Sequence, residues 1–151
     1  MKASEKGLDL IKKFEGFKDY LYTCPAGKPT IGYGHVIDNK LLDLIKATAP
    51  ITESHAEKLL QDDVKEAQNA INSSVKVTLK QGQFDALVSL IYNWGAYNFK
   101  ISNGLTKLNA GDYNGAADEF FGKVRGVVSV NDKFSNGLYR RRQAELELWQ
   151  S

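Results

Sequence analysis

Glu15 is followed by Gly16 in the run Phe14-Glu15-Gly16-Phe17, at the point where an apolar helical pattern stops. A carboxylate at a helix C-terminus faces the negative end of the helix dipole, which disfavours its ionised form. Stability alone would favour Lys or Arg there, whereas a site that needs a protonated acid near neutral pH would accept the cost. Glu15 is therefore a candidate general acid. Fifteen residues further on comes Thr30-Ile31-Gly32-Tyr33-Gly34-His35. Alternation along a strand would put Thr30, Gly32 and Gly34 on one face and Ile31, Tyr33 and His35 on the other. The first face offers one hydroxyl and bare backbone, against which a flat polymer such as a sugar chain could lie. The same glycines would equally suit a strand packed beneath another element. Asp19 is the only acid between Glu15 and Thr30, and it reads as a solvated surface charge. Cys24 reads locally as a small residue in a turn.

The elements that must hold these residues follow from periodicity. Leu8, Leu10, Ile11 and Phe14 form a helical stripe behind Ser4, an expected N-cap, with Gly16 as its stop. Tyr20 to Tyr22 read as a strand, residues 23–29 as a turn and Thr30 to Gly34 as the returning strand. Residues 38–51 are ambiguous, with an apolar cluster at Leu41, Leu42, Leu44 and Ile45. Thr52 caps an expected helix of some twenty residues that carries Ala56, Leu59, Leu60, Val64, Ala67 and Ile71 at helical spacing. A second strong helix follows Thr78, with Phe84, Leu87, Val88, Ile91 and Tyr92 on one face and Gly95 at its end. Shorter helices are expected at 100–109, 113–122 and 135–149, and residues 124–134 read as a loop or a short strand. The expected fold class is α+β: a small lobe with a β-hairpin at about 13–60, and a helical lobe from 1–12 and 61–151, joined by the long helix.

Bulk composition removes several function classes. The 151 residues are 42% hydrophobic, enough for one core without disulfide or metal staples. Twenty basic residues face 18 acidic ones, far from the basic footprint of a nucleic-acid binder. The single cysteine excludes an internal disulfide and a multi-cysteine zinc site, and the two histidines lack metal-ligand spacing. No apolar run approaches the ~18 residues of a membrane span, and Met1-Lys2-Ala3-Ser4-Glu5 lacks a signal-peptide core. The expectation is a protein made in the cytoplasm, monomeric, without metal, cofactor, nucleic-acid partner or stable membrane insertion. Arg140 to Arg142 read as a solvated, salt-bridged helix face, with anionic envelope polymer as a second reading.

Glu15-Gly16, then Tyr22-x-Cys24-x-x-Gly27-x-x-Thr30-Ile31-Gly32-Tyr33-Gly34-His35, closely resembles the phage-type (T4-like) lysozymes. The likeness continues through Glu57 to Val64, Ala86 to Gly95, Leu105 to Tyr113 and Gly137 to Arg142, and so covers nearly the whole chain. The resemblance implies an endolysin that hydrolyses the β-1,4 bond between N-acetylmuramic acid and N-acetylglucosamine in peptidoglycan. It would act on the wall in the periplasm, after release by a holin or by an export segment outside this chain. The family's catalytic triad is Glu, Asp and Thr. Glu15 takes the acid position and Thr30 the threonine position, while Cys24 stands where the aspartate belongs. Glycosidases generally pair an acid with a second carboxylate that activates water or attacks. With a reference pKa of roughly 8.5, a thiol is only slightly ionised at neutral pH. It is then a weaker base than aspartate, although it can still orient water jointly with Thr30. The resemblance suggests an inverting outcome.

The same resemblance pairs His35 with Asp63 as a structural ion pair. It also places Gly32, Val36, Tyr92, Asn93 and Gly104 at substrate-binding positions. An aromatic beside an amide suits an acetamido sugar, offering a flat apolar face with a donor and an acceptor. Tyr92 could equally complete the core stripe. The departure at Cys24 keeps two alternatives open: a lapsed enzyme that only binds glycan strands, and a transglycosylase on the same scaffold. A cysteine protease fits poorly, since Cys24 precedes Pro25 and has no identifiable histidine. A phosphate loop fails because Gly32-x-Gly34 lacks a third glycine and opens no helix.

Overall fold

Helix α1 (Glu5–Glu15) forms where the sequence repeats apolar residues at helical spacing, and Leu8 and Ile11 are its buried hydrophobic side chains. Gly16 ends it in the left-handed region (φ +71°), with its N–H donated to the Lys12 carbonyl at 2.9 Å. The computed structural model describes residues 1–38, 42, 45–46 and 50–151. The chain divides into two compact units, residues 11–63 and residues 1–10 with 64–151.

The first unit holds a three-stranded antiparallel sheet in the order β1 (Lys18–Thr23), β2 (Pro29–Gly32), β3 (His35–Val36). The turn from β1 to β2 is closed by Cys24 N–H to Lys28 O (3.0 Å) and Gly27 N–H to Cys24 O (2.8 Å). The returning strand is shorter than expected. Gly32 and Gly34 both have positive φ (+69° and +80°), so the chain turns at Tyr33-Gly34 and comes back as β3. Ile31, Ile37, Ile45, Ile51 and Ala56 form the core, with Phe17, Leu21, Tyr33, Leu42 and Leu59 packed around it. Leu41 and Leu44 of the ambiguous apolar cluster lie outside the described residues.

Helix α2 (Glu53–Ser74) is capped by Thr52, whose Oγ1 accepts from His55 N–H at 3.1 Å. Its buried stripe is Ala56, Leu60, Val64, Ala67, Ala70 and Ile71. Residues up to Asp63 belong to the first unit and those from Val64 to the second.

The second unit is built on α3 (Gln81–Trp94), α4 (Ala96–Lys100), α5 (Asn103–Asn109), α6 (Tyr113–Phe121) and α7 (Asn136–Gln150). A two-residue pairing of β4 (Ser129–Val130) with β5 (Lys133–Phe134) lies in the stretch left open between loop and strand. Helix α3 is buried from Gln83 to Ile91 without a break, rather than on one face. A helix covered on all sides is the centre of a helical core. Phe99, Phe120, Phe121 and Trp149 continue that core as a chain of rings with centroids 5.7–5.8 Å apart. Buried Asp85 anchors the N-terminal segment, accepting from Ser4 N–H at 2.9 Å, from the Ser4 hydroxyl and from Gln81 Nε2 at 2.9 Å. Ser4 thus stands at the start of α1 with its hydroxyl turned to Asp85.

The arginine run departs from expectation. Only Arg140 is exposed; Arg141 is buried and Arg142 has no exposed surface. Arg142 bonds to Glu145 through Nε (2.6 Å) and Nη2 (2.8 Å), and the Ser89 hydroxyl donates to the same carboxylate at 2.7 Å. A solvated face was the wrong expectation because residues 141, 142 and 145 lie on the side of α7 that packs against α3. Burial works against both charges, raising the Glu145 pKa and lowering that of Arg142. Removing one partner leaves the other charged and dry. Glu145→Ala is accordingly expected to destabilise the fold by about 3–5 kcal/mol in denaturant melts, whereas an exposed Arg140→Ala costs little.

Candidate active site

The first unit gathers the three residues of the N-terminal motif. Glu15 is the last residue of α1 and half-buried. Thr30 lies on β2, opposite Tyr22 on β1 and Val36 on β3, so the three side chains form a row across one sheet face. Thr30 is 1% exposed, Tyr22 half-buried and Val36 48% exposed. Cys24 follows two residues after Tyr22, at the turn, as a free and half-buried thiol.

Electrostatics ties these groups together. A backbone hydrogen bond from Lys28 holds the Cys24 thiol below its ordinary pKa, aided by the Thr30 hydroxyl and the Lys28 charge and opposed by partial burial. The Thr30 Oγ1 is also 2.9 Å from the Lys28 carbonyl, to which it donates. A hydroxyl carries one proton, so the Lys28 oxygen and the Cys24 sulfur compete for it. Tyr22 is pushed above its ordinary pKa by burial and then by the negative charges of Glu15 and Cys24. Glu15, Tyr22, Cys24 and Thr30 thus share one electrostatic environment. In the sequence Tyr22 stands out only as a strand residue. Its signal is position, two residues before Cys24 and across the hairpin from Thr30.

The expected open glycine face is not formed. Gly32 is buried, and a Cβ placed there would meet the Ala56 Cβ at 3.1 Å. Its left-handed backbone turns it towards the helix side of the sheet. Asp19 is exposed. His35 shares the opposite face with Ile31, and its Nδ1 lies 2.8 and 2.9 Å from the two carboxylate oxygens of Asp63.

In the second unit, Gly104, Trp94, Asn98, Ser102, Glu119 and Val127 are among the residues lining a cavity of about 440 Å³. Gly104 is glycine for a steric reason: a Cβ would lie 2.3 Å from Phe120 Cε1. Tyr92 is half-buried and Asn93 exposed, and the Asn93 Oδ1 accepts from Arg142 Nη1 at 3.0 Å. Glu119 takes Lys107 Nζ at 2.9 Å, which holds its carboxyl below the ordinary range. Among the described residues, no group of three His, Cys, Asp or Glu side chains is placed to hold a metal ion.

The phage lysozyme family model matches residues 12–145, and the chain belongs to that family. It is 41% identical over 151 residues to the endolysin of Acyrthosiphon pisum secondary endosymbiont phage 1, covering 100% of this chain and 99% of that protein. It is 41% identical over 153 residues to the endolysin of Bacillus phage B103, covering 99% of this chain but 54% of that longer protein. Among solved structures, the muramidase domain of SpmX from Asticaccaulis excentricus superposes with a TM-score of 0.81 at 33% identity, over 99% of this chain and 98% of that one. The chain is an α+β lysozyme-type glycoside hydrolase. No helix among the described residues is long and apolar enough to cross a membrane.

The His35–Asp63 pair gives a pH prediction with a definite sign. The hydrogen bond to Asp63 raises the His35 pKa above 6.5, with burial opposing and the charges of Asp63, Asp38 and Asp62 assisting. Folding therefore favours the protonated ring. The pair's contribution is complete below about pH 6.5 and fades as pH rises through the raised value. Chemical denaturation at pH 5.5 and pH 8.5 should show this loss in the unaltered protein. Asp63→Asn should cost about 2 kcal/mol at the lower pH and flatten the difference.

Proposed function

We propose that this lysozyme cleaves the β-1,4 bond between N-acetylmuramic acid and N-acetylglucosamine in peptidoglycan, with Glu15 as general acid and Cys24 and Thr30 holding the attacking water. The observation that carries the reading is the grouping of Glu15, Cys24 and Thr30 around Tyr22, with the thiol held below its ordinary pKa. Glu15 donates its proton to the glycosidic oxygen as the C1–O bond breaks. Water positioned by the Cys24 sulfur and the Thr30 oxygen attacks C1, and its proton passes to the thiolate. Glu15 ends as carboxylate and Cys24 as thiol, and proton exchange with solvent restores both. A depressed thiol pKa supplies more thiolate at neutral pH than an ordinary cysteine would, which answers part of the missing aspartate.

Val36, Tyr92, Asn93 and Gly104 contribute to glycan binding in this reading. Gly32 contributes by letting the sheet pack closely under Ala56. The enzyme works as a monomer on the wall, reached in the periplasm after release from the cytoplasm where it is made. The sequence relation to phage endolysins supports that setting.

Release of new reducing ends from purified peptidoglycan tests the chemistry. Glu15→Gln should lower the rate at least ~100-fold, the scale of a lost general acid. Cys24→Asp, which restores the carboxylate of the family's pattern, should retain activity. Cys24→Ala should fall at least ~10-fold, less than a full general base because Thr30 still holds the water. Anhydro or transfer products in place of reducing ends would instead indicate transglycosylation. Retained peptidoglycan binding without turnover would indicate a lapsed enzyme.

A further inference from the structure

Arg142 has no exposed surface, yet one of its nitrogens ends on an exposed residue. Nε and Nη2 are taken by Glu145, while Nη1 donates to Asn93 Oδ1 at 3.0 Å and to the Val127 carbonyl at 3.3 Å. A guanidinium carries donors only, so the Asn93 atom facing it has to be the amide oxygen. The chemistry of the partner thereby settles the orientation of the Asn93 amide. Its NH2 group points away from Arg142, and among the described residues no acceptor takes it. Asn93 stands one residue before Trp94, and Trp94 and Val127 both line the 440 Å³ cavity.

We infer that Arg142 is a positioning residue for substrate recognition: by holding the Asn93 oxygen, it commits the amide to act as a donor, and the group it reads is the acetyl carbonyl of an N-acetylated sugar. This rests on the proposal that Asn93 binds glycan, and narrows it from an amide with two faces to a donor alone. Arg142 also holds Val127, so one buried cation fixes the donor and one wall of the cavity together. The Glu145 carboxylate, held in turn by Ser89, keeps the cation in place.

Arg142→Lys is the direct variant, but it breaks a fully buried network and destabilises the fold, so Asn93→Asp is the decisive one. A carboxylate keeps an acceptor for Arg142 while removing the outward donor. Asn93→Asp should melt at or above the temperature of the unaltered protein. Its KM on N-acetylated peptidoglycan should rise at least ~10-fold, the scale of one lost hydrogen bond with added repulsion, with kcat within ~2-fold. On chemically N-deacetylated peptidoglycan this loss should disappear, because the acetyl carbonyl is gone and the free ammonium is attracted to the new carboxylate. An unchanged KM on the acetylated polymer, an equal loss on both polymers, or a melting temperature lowered by ~5 °C or more would each overturn the inference. Calorimetric binding of an N-acetylglucosamine tetrasaccharide gives the same comparison without turnover. Absence of hydrolysis by the unaltered protein would thus defeat the muramidase reading and leave this inference to be decided on binding.

Discussion

A guanidinium sealed from solvent at position 142 sets terms for the helical unit. Burying that charge costs several kcal/mol unless nearly every N–H finds an acceptor. Glu145 supplies two bonds from one turn further along α7, Asn93 supplies one from the end of α3, and Val127 supplies one from the segment after α6. Three separate stretches of chain therefore have to meet at one point. Ser89 adds a hydroxyl to the same carboxylate, which draws the middle of α3 against α7. The apolar core gives this unit its bulk, through Phe84, Leu87, Phe99, Phe120 and Phe121. The charged network is directional where the rings are not, so it fixes which residue of α3 faces which residue of α7.

The smaller unit solves a different problem, holding an acid, a thiol and a hydroxyl close together on little structure. Its sheet has only three short strands, and the cross-strand row Tyr22, Thr30, Val36 is what aligns one face. Two left-handed glycines turn the chain immediately after Thr30, so the hydroxyl sits on the last paired stretch before the bend. The opposite face packs Ile31 into the core and offers His35 to Asp63 on α2. Hydrogen bonding around Cys24 comes largely from the turn itself, where Lys28 supplies backbone, carbonyl and charge. A tight turn thus does electrostatic work that the sequence alone would credit to packing.

In the proposed site a cysteine stands where the family resemblance puts an aspartate, and this would change the balance of that turn. An aspartate would be ionised throughout the neutral range without help. A thiol reaches the same charge only to the extent that its surroundings favour it, and Thr30 has a single proton to share between sulfur and the Lys28 carbonyl. Proton position on Thr30 and charge on Cys24 are therefore coupled. The neighbouring Tyr22 is held above its ordinary pKa first by burial and then by the charges of Glu15 and Cys24.

Much of the fold is legible in the sequence. Periodicity located α1, α2 and α3, because a residue every third or fourth position must face the same side wherever the helix lies. Gly16, Thr52 and Gly95 marked helix ends through backbone chemistry that needs no neighbours. The motif from Glu15 to His35 also carried the family and the candidate acid, since those residues are close in the chain. Other features were closed to that reasoning. Alternation put Gly32 on an open face, but a left-handed φ and the approach of Ala56 placed it in packing. Arg140 to Arg142 look alike in sequence, yet one is solvated and one has no exposed surface, because the angle of each around α7 meets a different environment. The outward face of the Asn93 amide depends on Arg142, forty-nine residues away in the chain. Local order follows from each residue's own backbone and spacing, whereas burial, charge pairing and the direction a donor points are set by what other segments bring alongside.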